Sequence, residues 1–149
     1  MMKAMMMSDS ELMTLYSGQI LALAADIPHL GRLAAPGGTA RKRAPLCGST
    51  ITVDVVLAEG RVAAFAQDVK ACALGQASAS LLGDVVIGRN LAELQAARDQ
   101  VAVMLTGGDV PAPPFDGYRV LIPAREYKNR HASILLALEA TCAAVTAAQ

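Results

Sequence analysis

The segment Ser49–Leu57, STITVDVVL, alternates: Ile51, Val53, Val55 and Leu57 fall on one side, Thr50, Thr52 and Asp54 on the other. A period of two marks a strand with one face buried. Ala58–Arg61, AEGR, reads as a turn, and Val62–Val69, VAAFAQDV, as the antiparallel partner. Such a hairpin commits the rest of the chain in two ways. Its apolar face has to be covered, and the residues that enter and leave it come to the same edge of the sheet. Here the entering segment carries Cys47 and the leaving segment carries Cys72, 25 residues later.

Helices supply the cover. Ser8 stands three residues before Glu11, a capping-box spacing, and Leu12, Leu15, Tyr16, Ile20, Leu21 and Leu23 then recur at helical period. This predicts a helix from about Asp9 to Ala25, stopped by Pro28. After Gly37 and Gly38, the basic run TARKRAP reads as an extended edge strand. From Lys70 the pattern turns helical through about Leu82. Asn90, with Glu93 at the reciprocal position, caps a helix whose apolar stripe is Leu91, Leu94, Ala97, Val101 and Leu105. Thr106–Tyr118, TGGDVPAPPFDGY, reads as an exposed, mobile connection. The last helix starts near Asn129 and offers Ile134, Leu135, Leu138 and Ala140 to the core. The order predicts an α+β domain over residues 9–146, its helices packed on one face of a small antiparallel sheet, with residues 1–8 a disordered extension.

Length and composition bound the function. A chain of 149 residues suits one domain, and 54% hydrophobic content excludes a disordered one. Thirteen basic and thirteen acidic residues leave no net charge to drive the chain onto nucleic acid or a membrane, and neither is expected as a partner. No apolar run is expected to reach the roughly 18–20 residues of a membrane helix. The opening MMKAMMMS is too short for a signal-peptide core. Three cysteines, an odd number, without an export signal point to a reducing cytoplasmic setting and free thiols.

Free thiols in such a chain are core filler, redox or catalytic groups, or metal ligands. Pro45 and Gly48 flank Cys47, as in a tightly shaped turn with backbone amides close to the sulfur. Cys72 opens a helix, where unpaired amides and the positive end of the helix dipole stabilise a thiolate, and Lys70 acts in the same direction. Behind it Ala71, Ala73, Gly75, Ala77 and Ala79 let the backbone press against a neighbour. His131, in the first turn of the last helix beside Lys128 and Arg130, is either a surface histidine or an imidazole partner for two thiolates on zinc or iron. Nothing places His29 near the cysteines. Cys142 lies 11 residues beyond His131 on the same helix. That is roughly 16 Å at the helical rise, too far to share one ion, so Cys142 reads as filler. Arg41, Lys42, Arg43, Lys128 and Arg130 form either a basic rim for an acidic partner or a merely solvated surface.

Three stretches, LCGSTITVDV, VKACALGQASASLL and RHASILLALEA, resemble the ligand segments of the NifU/IscU/SufU-type iron–sulfur cluster assembly scaffolds, with order and spacing agreeing from about Leu15 to Ala144. The resemblance implies a three-stranded antiparallel sheet covered by helices, with Cys47, Cys72 and His131 as ligands. It also implies a cysteine desulfurase that passes persulfide sulfur to the cysteines, and apo iron–sulfur proteins as acceptors. The cargo is a transient [2Fe–2S] cluster, or zinc in its place. The chain departs from the family pattern twice: Ser49 stands where the family has Asp, and Ala132 where it commonly has Cys. Clusters are normally held by four protein ligands. Three arrangements therefore follow: a homodimer in which each chain gives two cysteines, a single-chain zinc site with an open fourth position, or an accessory protein that has lost the chemistry. A zinc-bound sulfurtransferase is the enzymatic alternative to the scaffold.

Overall fold

The computed structural model describes residues 17–46 and 48–149. Three strands, β1 (Gly38–Arg43), β2 (Thr50–Ala58) and β3 (Arg61–Lys70), form an antiparallel sheet in chain order. The helices are α1 (Gly18–Ala25), α2 (Ala73–Gly83), α3 (Leu91–Leu105) and α4 (His131–Ala148); 3₁₀ turns at Phe115–Glu126 and Lys128–Arg130 lead into α4. The expected class, α+β with a small antiparallel sheet and helices, is what the chain adopts.

The β2–β3 hairpin turns at Glu59 and Gly60, both at positive φ (55° and 77°), the pair that a two-residue turn between right-twisted strands requires. Ile51, Val53 and Val55 of β2 are fully buried, with Phe65 and Gln67 of β3 opposite Val55 and Val53. α4 covers β1 and β2 and packs against α2 and α3, and α1 lies on α2. α4 presses on β1 at Gly38, where a Cβ would lie 2.6 Å from the Ala148 amide nitrogen; only glycine fits. α3 starts with both halves of a capping box: Glu93 N–H donates to Asn90 Oδ1 (2.8 Å) and Asn90 N–H to Glu93 Oε1 (3.0 Å).

The other face of the sheet is crossed by the α1–β1 connection. Gln67 N–H donates to the His29 carbonyl (2.9 Å) and Gly31 N–H to the Gln67 carbonyl (2.8 Å), so this segment lines the free edge of β3. It then passes over to β1, on the far side of β2. Asp54, fully buried, pins the crossing: it accepts from Arg32 Nε (2.6 Å) and Nη2 (3.1 Å), Leu33 N (3.0 Å) and Thr39 Oγ1 (2.6 Å). The Arg32 hydrogen bond, helped by Thr39 and Leu33, outweighs burial and holds the Asp54 carboxyl down to about 2.

Four expectations need correction. A helix running through Ser17 is not found: Ser17 is extended (φ −56°, ψ 161°) and its Oγ accepts from Ile20 N, so a helix starts at Gly18. A Ser-Gly pair favours a cap over a helix interior. The expected disordered extension (1–8), Ser8 cap and Leu12–Tyr16 stripe lie outside the described residues. The helix after β3 starts at Ala73, not Lys70, because β3 continues through Lys70. The connection after α3 is not exposed throughout, since Phe115 and Tyr118 are buried aromatics that anchor its second half. Finally, Lys128–Ala148 is long and apolar enough, by length and composition alone, to cross a membrane. It is apolar on most sides because it is the central helix of the core, surrounded by sheet and helices.

Candidate functional site

Thr50 of β2 pairs with Lys70 of β3, so the segment before one strand and the segment after the other emerge at one end of the sheet. This is the juxtaposition that the hairpin length predicts. On the entering side, Ala44 N–H donates to the Ser49 carbonyl (2.8 Å) and Gly48 N–H to the Ala44 carbonyl (2.9 Å), with Gly48 in the left-handed region at φ 71°. These bonds draw Ala44, Gly48 and Ser49 together on either side of position 47. Cys47 itself lies outside the described residues.

On the leaving side, Cys72 is the N-cap residue of α2, half-buried, and its sulfur makes no cap hydrogen bond. It faces α4 instead: Cys72 Sγ lies 3.3 Å from Ser133 Oγ. Ser133, fully buried, lies 3.3 Å from Ser49 Oγ as well. One hydroxyl on α4 thus ties the segment before β2 to the thiol that opens α2. The close approach depends on Gly75, where a Cβ would come within 2.6 Å of Ser133 Oγ. The expected pressing of the small-residue helix against a neighbour is realised there.

A second buried network holds the same helices one turn further along. Ser78 Oγ donates to the Ile134 carbonyl (2.6 Å), and Tyr118 O–H donates to the Ser78 carbonyl (2.9 Å). Burial pushes the Tyr118 phenol well above its usual range, so it stays a neutral donor.

His131 is the first residue of α4, with its Nε2 3.0 Å from the carbonyls of both Ala124 and Arg125. A nitrogen facing carbonyl oxygens donates, so Nε2 carries a proton; in the neutral imidazole this tautomer leaves Nδ1 as the nitrogen that can bind a metal. The backbone that orients it is itself anchored: the Arg125 guanidinium donates to the carbonyls of Met104 (2.7 Å) and Gly108 (2.5 Å) at the end of α3. Among the described residues, no three His, Cys, Asp or Glu side chains converge as a metal-binding group. Ser49 and Ser133 contribute hydroxyls, of which that of Ser133 meets the Cys72 sulfur. Cys142 is buried in the core stripe of α4, and burial raises its thiol above the ordinary value, as befits filler.

Sequence reasoning missed Ser133, Ser78 and Tyr118. Ser133 carries one usable signal. It stands four residues before Ala137 on the buried stripe of an apolar helix, and a hydroxyl there needs a partner.

A search of curated proteins gives no match. The family model described as the NifU-like N terminal domain matches residues 15–120, which contain Cys47 and Cys72 but not His131. Among solved structures, a nitrogen-fixing NifU-like protein (N-terminal) from Brucella abortus is 40% identical, with a TM-score of 0.89 over 93% of this chain and 96% of that one. A hypothetical protein solved at 2.3 Å is 25% identical, with a TM-score of 0.78 over 90% of this chain and 98% of that one. A candidate iron–sulfur cluster assembly scaffold for the SUF system from Fervidobacterium islandicum AW-1 is 17% identical (TM-score 0.79; 89% and 98% covered), a likeness of fold alone. By its family match and its 40% identity to the Brucella protein over nearly its whole length, the chain belongs to the NifU-like N-terminal domain family.

Proposed function

We propose that this protein is an iron–sulfur cluster assembly scaffold or carrier of the reducing cytoplasm, taking sulfur from a cysteine desulfurase and holding iron or a [2Fe–2S] cluster as cargo for apo iron–sulfur proteins. The observation that carries the reading is the meeting, at one end of the sheet, of the turn before β2, the N-terminus of α2 and the first turn of α4, joined through Ser49, Ser133 and Cys72. Family membership supports it.

In this reading Cys47 and Cys72 are the sulfur acceptors and thiolate ligands, and His131 is the third ligand through Nδ1. Transfer is a thiol–disulfide exchange. The Cys72 thiolate attacks the outer sulfur of a desulfurase persulfide, a new S–S bond forms, and the old bond's electron pair leaves on the desulfurase thiolate. The Ser133 hydroxyl, 3.3 Å away, holds the attacking sulfur by donating to it. The cargo's iron supplies the affinity for thiolate and imidazole; the chain supplies their placement. Two thiols and one imidazole leave a four-ligand cluster incomplete, so a cluster is shared between two copies of the chain or completed by an outside ligand.

The test is anaerobic incubation with a cysteine desulfurase, cysteine and ferrous iron, followed by iron and acid-labile sulfide analysis. Iron with sulfide on the protein supports the scaffold. Zinc with a persulfidated cysteine and no sulfide would replace it with a zinc-bound sulfurtransferase. Neither would leave an accessory binding protein.

A further inference from the structure

Strand β1 carries Arg41, Lys42 and Arg43 in succession, all exposed and none in an ion pair among the described residues. Among the described residues it is an edge strand, paired to β2 on one side only. Ala44 N–H is directed inward to the Ser49 carbonyl, and the alternation of an antiparallel ladder then turns the backbone N–H and C=O groups of Arg41 and Arg43 outward, to the unpaired edge. The side chains straddle that edge. Thr39 reaches Asp54 on the crossed face of the sheet, so Arg41 and Arg43 share that face, while Gly38 meets α4, so Lys42 is on the helix side. A depression of about 550 Å³ runs between Arg41, Arg43, Gly48 and Thr50. A second of about 410 Å³, between Lys42, Arg98 and α4, adjoins it at Lys42 and Arg43.

We infer that the free edge of β1 is a docking strand for an extended acidic segment of a protein partner. Added as a fourth strand, such a segment pairs its backbone with Arg41 and Arg43. Its alternating carboxylates meet the two arginines on one face and the lysine on the other. A second copy of this chain does not fit: antiparallel pairing of two β1 edges sets Arg41 against Arg43 and Lys42 against Lys42, which repels. A nucleic acid has no backbone to complete an open β ladder, and three cations on a neutral chain are a small footprint for one. The docked strand would lie beside Gly48 and Thr50. This inference does not rest on the scaffold reading, since it needs neither metal nor sulfur.

The probe is a fluorescein-labelled twelve-residue peptide with a central Val-Glu-Glu-Glu-Val run, titrated by anisotropy beside its Lys-for-Glu counterpart and a single-stranded DNA of equal length. Hydrogen exchange at the β1 amides is followed in parallel. The expected result is binding of the Glu peptide alone, with the Arg41 and Arg43 amides protected about tenfold or more and those of Lys42 unchanged. The charge reversal R41E/K42E/R43E should weaken binding at least about tenfold. The neutral variant R41Q/K42Q/R43Q should weaken it too, and a thermal melt verifies the fold of both. Binding of both peptides alike, binding of DNA without peptide, no binding at all, or binding without protection of Arg41 and Arg43 would each overturn the inference.

Discussion

At Cys72 a single oxygen decides where the sulfur points. Ser133 meets it at 3.3 Å and meets Ser49 at the same distance, so two of the site's segments are held by one hydroxyl on a third. None of this is local in sequence: Ser133 is 61 residues from Cys72 and 84 from Ser49. The types and spacing of Cys47, Cys72 and His131 were legible as candidate chemistry, whereas a serine inside an apolar helix announces a hydrogen bond without naming its partner. Cys142 shows the converse. Its distance along the helix from His131 excluded it from the site, and burial accounts for it as core. Cys142→Ala should therefore cost about 1 kcal/mol in denaturant unfolding, and leave metal and sulfide uptake intact. Asp54 carries a prediction in pH. Its carboxyl is held near 2 in the folded chain against an ordinary 3.8, so between these values the unfolded chain binds more protons. The stabilisation is complete above about pH 4 and is lost as pH falls through about 2. Urea unfolding from pH 5 down to pH 2 should show this fall in the parent and a flatter one in Asp54→Asn. Parallel curves would remove Asp54 from the account.

Elements meet here through small residues. α2 approaches α4 at Gly75 and β1 approaches α4 at Gly38; a Cβ at either position collides with atoms that have no room to move. Gly75→Ala pushes α2 away from Ser133, and overpacking of this kind costs about 1–3 kcal/mol. A thermal melt should fall by several degrees, and the Cys72 thiol should label faster with a maleimide while Cys142 does not. Tyr118→Phe leaves the Ser78 carbonyl without its donor and should cost about 1 kcal/mol. The β2–β3 hairpin and the Asn90 capping box were legible because each is written in a period or a short spacing, whereas the register shift between Val56 and Leu57 was not. The start of α1 at Gly18 was not, because in sequence the apolar spacing runs on past Ser17 and only the Ser-Gly pair marks the cap. The burial of Phe115 and Tyr118 was hidden by the glycines and prolines that precede them. The crossing of the sheet by residues 29–37 depends on Asp54, which in sequence is only the polar member of an alternating strand.

Across the whole molecule, one sheet end gathers the site and the flank beside it presents the basic edge of β1. The central helix α4 runs under both, from Ser133 beside Cys72 to Ala148 under Gly38. On the proposed function, a chain that offers Cys47, Cys72 and His131, with Ser49 and Ala132 at the two departures from the family pattern, completes a four-ligand cargo only with what it meets. The most direct test is iron, zinc and acid-labile sulfide per chain, measured after anaerobic loading by a cysteine desulfurase in the parent and in Cys47→Ala, Cys72→Ala and Cys142→Ala. Iron and sulfide are expected in the parent and in Cys142→Ala, and their loss in the other two. Equal loading of all four proteins would contradict it.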